Sequence, residues 1–158
     1  MIQEEIVDLM AQARAGSSWI GLDLGTKTIG VAVSDRLLSS ATPLHTIKRV
    51  KFSKDAEALL EVIENREIGA IILGLPRNMD GSEGPRCQST RAFGRNLASL
   101  TDLPIGYWDE RLSTVAAERA LLEADTSRKR RAEVIDHVAA GYILQGALDR
   151  ARHIRTVG

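Results

Sequence analysis

Ile2, Ile6, Leu9 and Met10 recur at helical spacing, which predicts an amphipathic helix over residues 1–15, ending before Gly16. The pattern then becomes β-like. Residues 17–24 and 28–34 read as two strands joined by a tight turn at Gly25, the second carrying Ile29, Val31 and Val33. Residues 39–47 add a third strand, which Pro43 assigns to a sheet edge. Three strands with such short links form an antiparallel meander. Ser53 then serves as N-cap of a helix to about residue 65, with Ala56, Leu59, Leu60 and Ile63 as its apolar stripe. Residues 70–73 are continuously apolar, as in a strand buried on both faces. They run into GLPRNMDGSEGP, a loop dense in turn formers. A third helix covers residues 86–100, with Phe93, Leu97 and Leu100 inward, and residues 104–108 form a fifth strand leading to Asp109, Glu110 and Arg111. Ser113 or Thr114 caps a helix through Leu122; after a polar break over 125–131, a final helix runs from about residue 132 to 150.

A meander followed by βα units implies an α/β fold with a five-stranded mixed sheet and helices on both faces. The expected organisation is an N-terminal helical extension over 1–16, one domain over 17–150 and a basic tail over 151–158. With 44% hydrophobic and 27% charged residues the chain is globular, and at 4% aromatic it offers few base-stacking platforms. Its 21 basic residues balance 21 acidic ones, so contact with a polyanion requires a local basic patch. The single Cys87 excludes an internal disulfide and a cysteine-rich zinc site. The N-terminal segment is acidic and lacks the basic start of a secretory signal, and no apolar run approaches the ~20 residues of a membrane span. A cytoplasmic protein with no membrane partner is expected.

Three acids occupy costly positions. Asp23 interrupts the apolar run of Ile20, Leu22 and Leu24, and a carboxylate there needs a cation, a metal or backbone donors. Its plainer explanation is a strand-end Asp held by the turn backbone. Glu110 follows the fifth strand at its carboxyl end, where open α/β sheets carry ligand crevices; a surface pair with Arg111 is the alternative. Asp136 shares a helical face with Ala132, Ala139, Ala140, Ile143 and Ala147, so it lies on the stripe that packs on the sheet, while Glu133 and His137 fall to the flanks. Three converging carboxylates repel unless a cation joins them, and hard oxygen ligands suit Mg²⁺ or Mn²⁺. Two such ions support in-line phosphodiester displacement.

The blocks GLDLGTKTIGVAVSD from Gly21, IILGLPRNMDGSEG from Ile71, DERLST from Asp109 and VIDHVAAGYILQ from Val134 resemble the YqgF/RuvX family. Its members are described as Holliday-junction resolvases and as pre-16S rRNA nucleases. The resemblance spans residues 18–149 and implies an RNase H-like fold. It also implies a metal-dependent nuclease with Asp23, Glu110 and Asp136 as catalytic metal ligands. Trimming the 5′ end of the small-subunit rRNA precursor is the expected role, and resolution of branched DNA the alternative. Partners would then be structured RNA and pre-ribosomal particles, or a DNA junction held by a homodimer; the RNA role needs only a monomer. Phosphate positioning falls to Lys27, Arg77, Asn78, Arg86, Arg111 and the basic loop Arg128, Lys129, Arg130 and Arg131, with Arg91 and Arg95 adding charge. Each alone reads more readily as a solvated surface group; together, beside an acidic metal site, they read as phosphate-positioning residues. His45, His137 and His153 form no metal set, although His137, beside Asp136, could move a proton. The Gly-rich hairpin also resembles the first phosphate loop of actin-like ATPases, but the chain has room for only one such domain. A further alternative is a nucleic-acid or ribosome-binding protein that does not cut.

Overall fold

Why the meander forms is visible in its alternation. In the computed structural model, which describes residues 1–112 and 128–157 (side chains for 1–112 and 137–156), β2 (Ser18–Leu24), β3 (Thr28–Ser34) and β4 (Ala41–Lys48) pair antiparallel. A register shift between Val31 and Ala32 brings Pro43 opposite Ala32 on the outermost strand, where its missing N–H costs no ladder bond. Helix α2 (Phe52–Asn65), β5 (Ile68–Leu75), α3 (Pro85–Ala98) and β6 (Ile105–Asp109) follow, β5 pairing parallel with both β2 and β6. A 3₁₀ turn (Glu110–Leu112) leaves β6, and α4 (Arg128–Val157) closes the chain.

The fold is RNase H-like α/β, with a mixed sheet flanked by helices as expected, but it has six strands and not five. The order is β1-β6-β5-β2-β3-β4. The extra strand, β1 (Ile2–Gln3), lies in the stretch whose spacing suggests one helix over residues 1–15; the helix there, α1, covers only Ile6–Gln12. Backbone pairing decides this: Ile2 and Gln3 pair parallel with Ile105 and Gly106, and the Ile105 N–H donates to the Met1 carbonyl at 2.7 Å. Ser53 is not the cap of α2. Lys51 takes that position without a side-chain bond, and the buried Asp55 reaches back to accept the Val50 N–H at 3.1 Å. Leu100 lies beyond the end of α3 and is exposed. The helix expected over 114–122 and the break over 125–127 lie outside the described residues. Arg128 to Arg131 form the first turn of α4 and not a loop, and that helix continues to Val157, past the predicted end at residue 150.

Strand alternation sorts the core into two layers. Ile20, Leu22 and Leu24 pack toward Leu59, Ile63, Phe93 and Leu97 of α2 and α3. Trp19, Ile72 and Trp108 pack toward Ile6 and Leu9 of α1 and toward Ala140, Ile143 and Leu144 of α4. Every residue of β5 is buried, the condition its apolar run predicts. Glycine lets α4 lie unusually close to the sheet: a Cβ on Gly21 would stand 2.6 Å from Leu144 Cβ and 3.1 Å from the Ala140 carbonyl oxygen. Among the described residues no helix is long and apolar enough to cross a membrane.

Candidate active site

Asp23 is 3% exposed and shares its strand face with Gly21, the point where α4 crosses β2. Pairing brings Asp23, Gly30 and Thr46 abreast on β2, β3 and β4. From the far end of that row the Thr46 hydroxyl bonds His137 Nδ1 at 3.1 Å. His137 is therefore half-buried and holds the helix over the row, in place of the outward flank its helical position suggests. The helix backbone carries Asp136 one turn before Ala140, on the same row of the helix surface; its side chain lies outside the described residues.

Parallel register links this row to Glu110. Leu22 pairs with Leu73 and Leu73 with Tyr107, so one residue further the row runs from Asp23 through Gly74 to Trp108. Gly74 brings no side chain into this space, and Ile143 of α4 fills the position a Cβ would take. Glu110 follows two residues after Trp108, half-buried in the 3₁₀ turn at the carboxyl end of the sheet. Arg111, the neighbour its sequence suggests as a partner, turns to Asp109 instead. The guanidinium grips that carboxylate from Nε at 3.1 Å and Nη2 at 2.7 Å, and holds the Asp109 carboxyl below its ordinary range. Burial, then the charge of Glu83 with Glu110 adding to it, pushes the Cys87 thiol up.

The basic residues separate into two kinds. Arg77 faces Glu83 at 3.4 Å and Asp109 at 3.8 Å, while its buried Nε meets no acceptor among the described residues. Arg91 grips Glu83 at 2.6 and 2.8 Å and Glu4 at 2.7 Å, and stacks over the Tyr107 ring. These, with Arg111, are tied to carboxylates. Asn78 is folded into its own loop by a 3.0 Å bond to Ser82. Lys27, by contrast, is exposed in the β2–β3 turn, and Arg86 donates to a backbone carbonyl there, that of Leu24, at 3.4 Å. The side chains of Arg128, Lys129, Arg130 and Arg131 lie outside the described residues. Arg49 has no motif to single it out, yet its Nη1 donates to the Gly25 carbonyl at 2.6 Å. Thr46 is equally silent in sequence, because its partner lies 91 residues away.

Among the described residues no three His, Cys, Asp or Glu side chains gather at metal-binding distance, and the Asp136 side chain is outside that set. Asp23, Glu110 and Asp136 are all carboxylic acids, and carboxylate oxygens are donors that suit a hard divalent cation.

A family model described as "RuvX: Holliday junction resolvase" matches residues 17–150. A protein of Ruegeria sp. (strain TM1040) named "Putative pre-16S rRNA nuclease" is 71% identical over 156 residues, 99% of each chain. A relative of the same name from Roseobacter denitrificans is 69% identical, covering 98% of this chain and 96% of its own. Among solved structures, T. thermophilus RuvC in complex with Holliday junction substrate aligns over 89% of this chain and 96% of that one, with a TM-score of 0.51 and 17% identity. The yeast mitochondrial Holliday junction resolvase Ydc2 aligns over 94% and 86%, with a TM-score of 0.50 and 12% identity. Those two likenesses support the fold. The sequence match over nearly the whole domain makes this chain a member of the RuvX family.

Proposed function

We propose that this protein hydrolyses phosphodiester bonds at a divalent-metal site made by Asp23, Glu110 and Asp136, and that it trims the 5′ end of precursor 16S rRNA. The observation that carries the reading is the buried Asp23 on the strand face that α4 crosses, with Asp136 one helical turn from that crossing. Bringing two or three ionised carboxylates to one place costs free energy through their mutual repulsion. Mg²⁺ or Mn²⁺, two ions in the loaded site, would offset that cost and supply water activation and stabilisation of the leaving oxygen. The chain's own part is to hold the ligands in place. Strand pairing fixes Asp23, the 3₁₀ turn presents Glu110 from the sheet edge, and the Thr46–His137 bond seats the helix bearing Asp136. Apolar packing of α4 on the sheet keeps bulk water from the floor of the site. The names of the 71% and 69% identical relatives support precursor 16S rRNA as substrate.

The description of the family model favours a second reading, resolution of branched DNA, which needs two symmetric cuts and hence a two-fold dimer. One experiment separates them. Purified protein with Mn²⁺ is given a 5′-extended 16S precursor transcript and a four-way DNA junction side by side, and its mass in solution is measured. Cleavage of the transcript by a monomer is expected. Asp23→Asn, Glu110→Gln and Asp136→Asn should each lower the rate by about 10²–10³-fold or more. Full activity in EDTA would refute the metal reading, and paired cuts in the junction alone would favour the resolvase.

A further inference from the structure

We infer that Arg49 and Arg86 form a seat for a phosphodiester group of the substrate at the β2–β3 turn, two residues from Asp23. This rests on the reading of nucleic acid as substrate, and adds where and by what the backbone is held. The two arginines come from different elements, Arg49 from the β4–α2 link and Arg86 from the start of α3. They converge on consecutive carbonyls: Arg86 Nη2 reaches the Leu24 oxygen at 3.4 Å, and Arg49 Nη1 the Gly25 oxygen at 2.6 Å. Between them lies a concavity of about 260 Å³ lined by Gly25, Thr26, Arg49, Arg86, Ser89 and Thr90. Thr26, Arg86 and Ser89 are exposed, so a ligand can enter from solvent.

The Nη groups of these two arginines donate to backbone carbonyls, whereas those of the others on this rim reach carboxylates. Arg77, Arg91 and Arg111 already face carboxylates, the acceptors a phosphate would have to displace. Arg86 touches a neutral carbonyl through a long bond. Arg49 meets the buried Asp55 only through Nε, 3.8 Å from Oδ2, while Oδ1 accepts the Val50 N–H, so its Nη groups stay clear of that carboxylate. A guanidinium carries five donors in a fixed fork, so each arginine retains donors after its backbone bond. A charged phosphate oxygen is a stronger acceptor than a carbonyl.

The Arg49 fork is also restrained before any ligand arrives. Arg49 is held by its own N–H on the Lys27 carbonyl at 2.9 Å, and its guanidinium lies 5.8 Å from the Phe93 ring centre. Little side-chain freedom remains to be lost on binding. Lys27, exposed in the same turn, leaves the local charge positive.

The test measures binding and cleavage separately. Anisotropy of a labelled 5′-extended 16S precursor transcript, and of a four-way DNA junction, is followed across a salt series in EDTA; cleavage is then measured with Mn²⁺. Arg49→Gln and Arg86→Gln should each weaken binding about 5–10-fold and flatten the salt slope by about 0.7 on single-stranded RNA or 0.9 on the duplex arms. In cleavage KM should rise while kcat stays within about two-fold. Arg86→Lys should keep the salt slope and recover part of the affinity. Should Arg49→Gln fail to fold, the exposed Arg86 decides. Folded variants with wild-type affinity and salt slope overturn the seat, even where cleavage proceeds. Loss of slope without any cleavage by the wild type would keep the seat and overturn the hydrolase reading. A wild type that binds neither probe overturns both.

Discussion

Gly21 shows how much of the site depends on one missing methyl group. Its ideal Cβ would sit 2.6 Å from Leu144 Cβ and 3.1 Å from a helix carbonyl, and neither is the flexible end of a side chain. Gly21→Ala must therefore lift α4 away from β2, and with it the backbone that carries Asp136. Overpacking of this kind costs about 1–3 kcal/mol. Urea unfolding should show a loss in that range, and cleavage should fall more than folding does, since a shift of about 1 Å in a ligand-bearing helix can cost 10²-fold in rate. An unchanged midpoint together with unchanged cleavage would show that the helix is not seated by this glycine. At this scale the sequence is informative wherever a residue violates its context. Asp23 stands out as an acid within an apolar strand, and it is indeed buried. Asp136 stands out on the packing stripe whose described members, Ala139, Ala140, Ile143 and Ala147, are buried as expected. Arg49 and Thr46 violate nothing. Their roles come from Gly25 and His137, 24 and 91 residues away, and no local pattern encodes such pairings.

Elements are legible where periodicity and burial agree, and less so where backbone pairing overrides periodicity. The uniformly apolar β5, the edge position of β4 and the central helices follow from pattern alone. The N-terminus does not, because Ile2 is half-buried through a strand and Ile6 buried through a helix, and equal spacing cannot separate the two. Residues 1–12 cover the edge of β6 and fill the angle between β6 and α4, where Leu9 meets the space a Cβ on Gly106 would take. Leu9 is fully buried among Trp19, Ile72 and Trp108. The N-terminal segment thus belongs to the core, and it resists the picture of an appendage. Leu9→Ala should destabilise the protein by about 2–5 kcal/mol, as for other buried leucines. Exposed Val7 on the same helix serves as control, and Val7→Ala should stay within about 0.5 kcal/mol. Equal effects of the two substitutions in chemical denaturation would mean that α1 does not pack on the sheet.

For the whole molecule the question is how a chain with no net charge holds a polyanion. Its charge is unevenly spent. Several arginines near the carboxyl edge of the sheet are consumed by carboxylates, while Arg128, Lys129, Arg130 and Arg131 occupy consecutive positions in the first turn of α4. That turn contains no acid, and cations there oppose the positive end of the helix macrodipole. Each unfavourable placement costs about 0.3–1 kcal/mol at low salt. Like charges on adjacent residues add to that cost. A basic first turn is thus a poor choice for stability alone, and an anion lying across it would relieve both the dipole and the mutual repulsion. The two effects predict opposite signs for one set of substitutions. Replacing the four residues by glutamine should raise the thermal midpoint by a few degrees, about 2–4 °C for each kcal/mol recovered in a chain of this size. The same protein should bind the precursor transcript more weakly, with its salt slope reduced by about 0.7 for every phosphate that the variant no longer neutralises. Melting curves and salt titrations on the one variant measure both. A variant that is stabilised yet keeps its affinity would show that this turn carries surface charge only, and that substrate is held elsewhere.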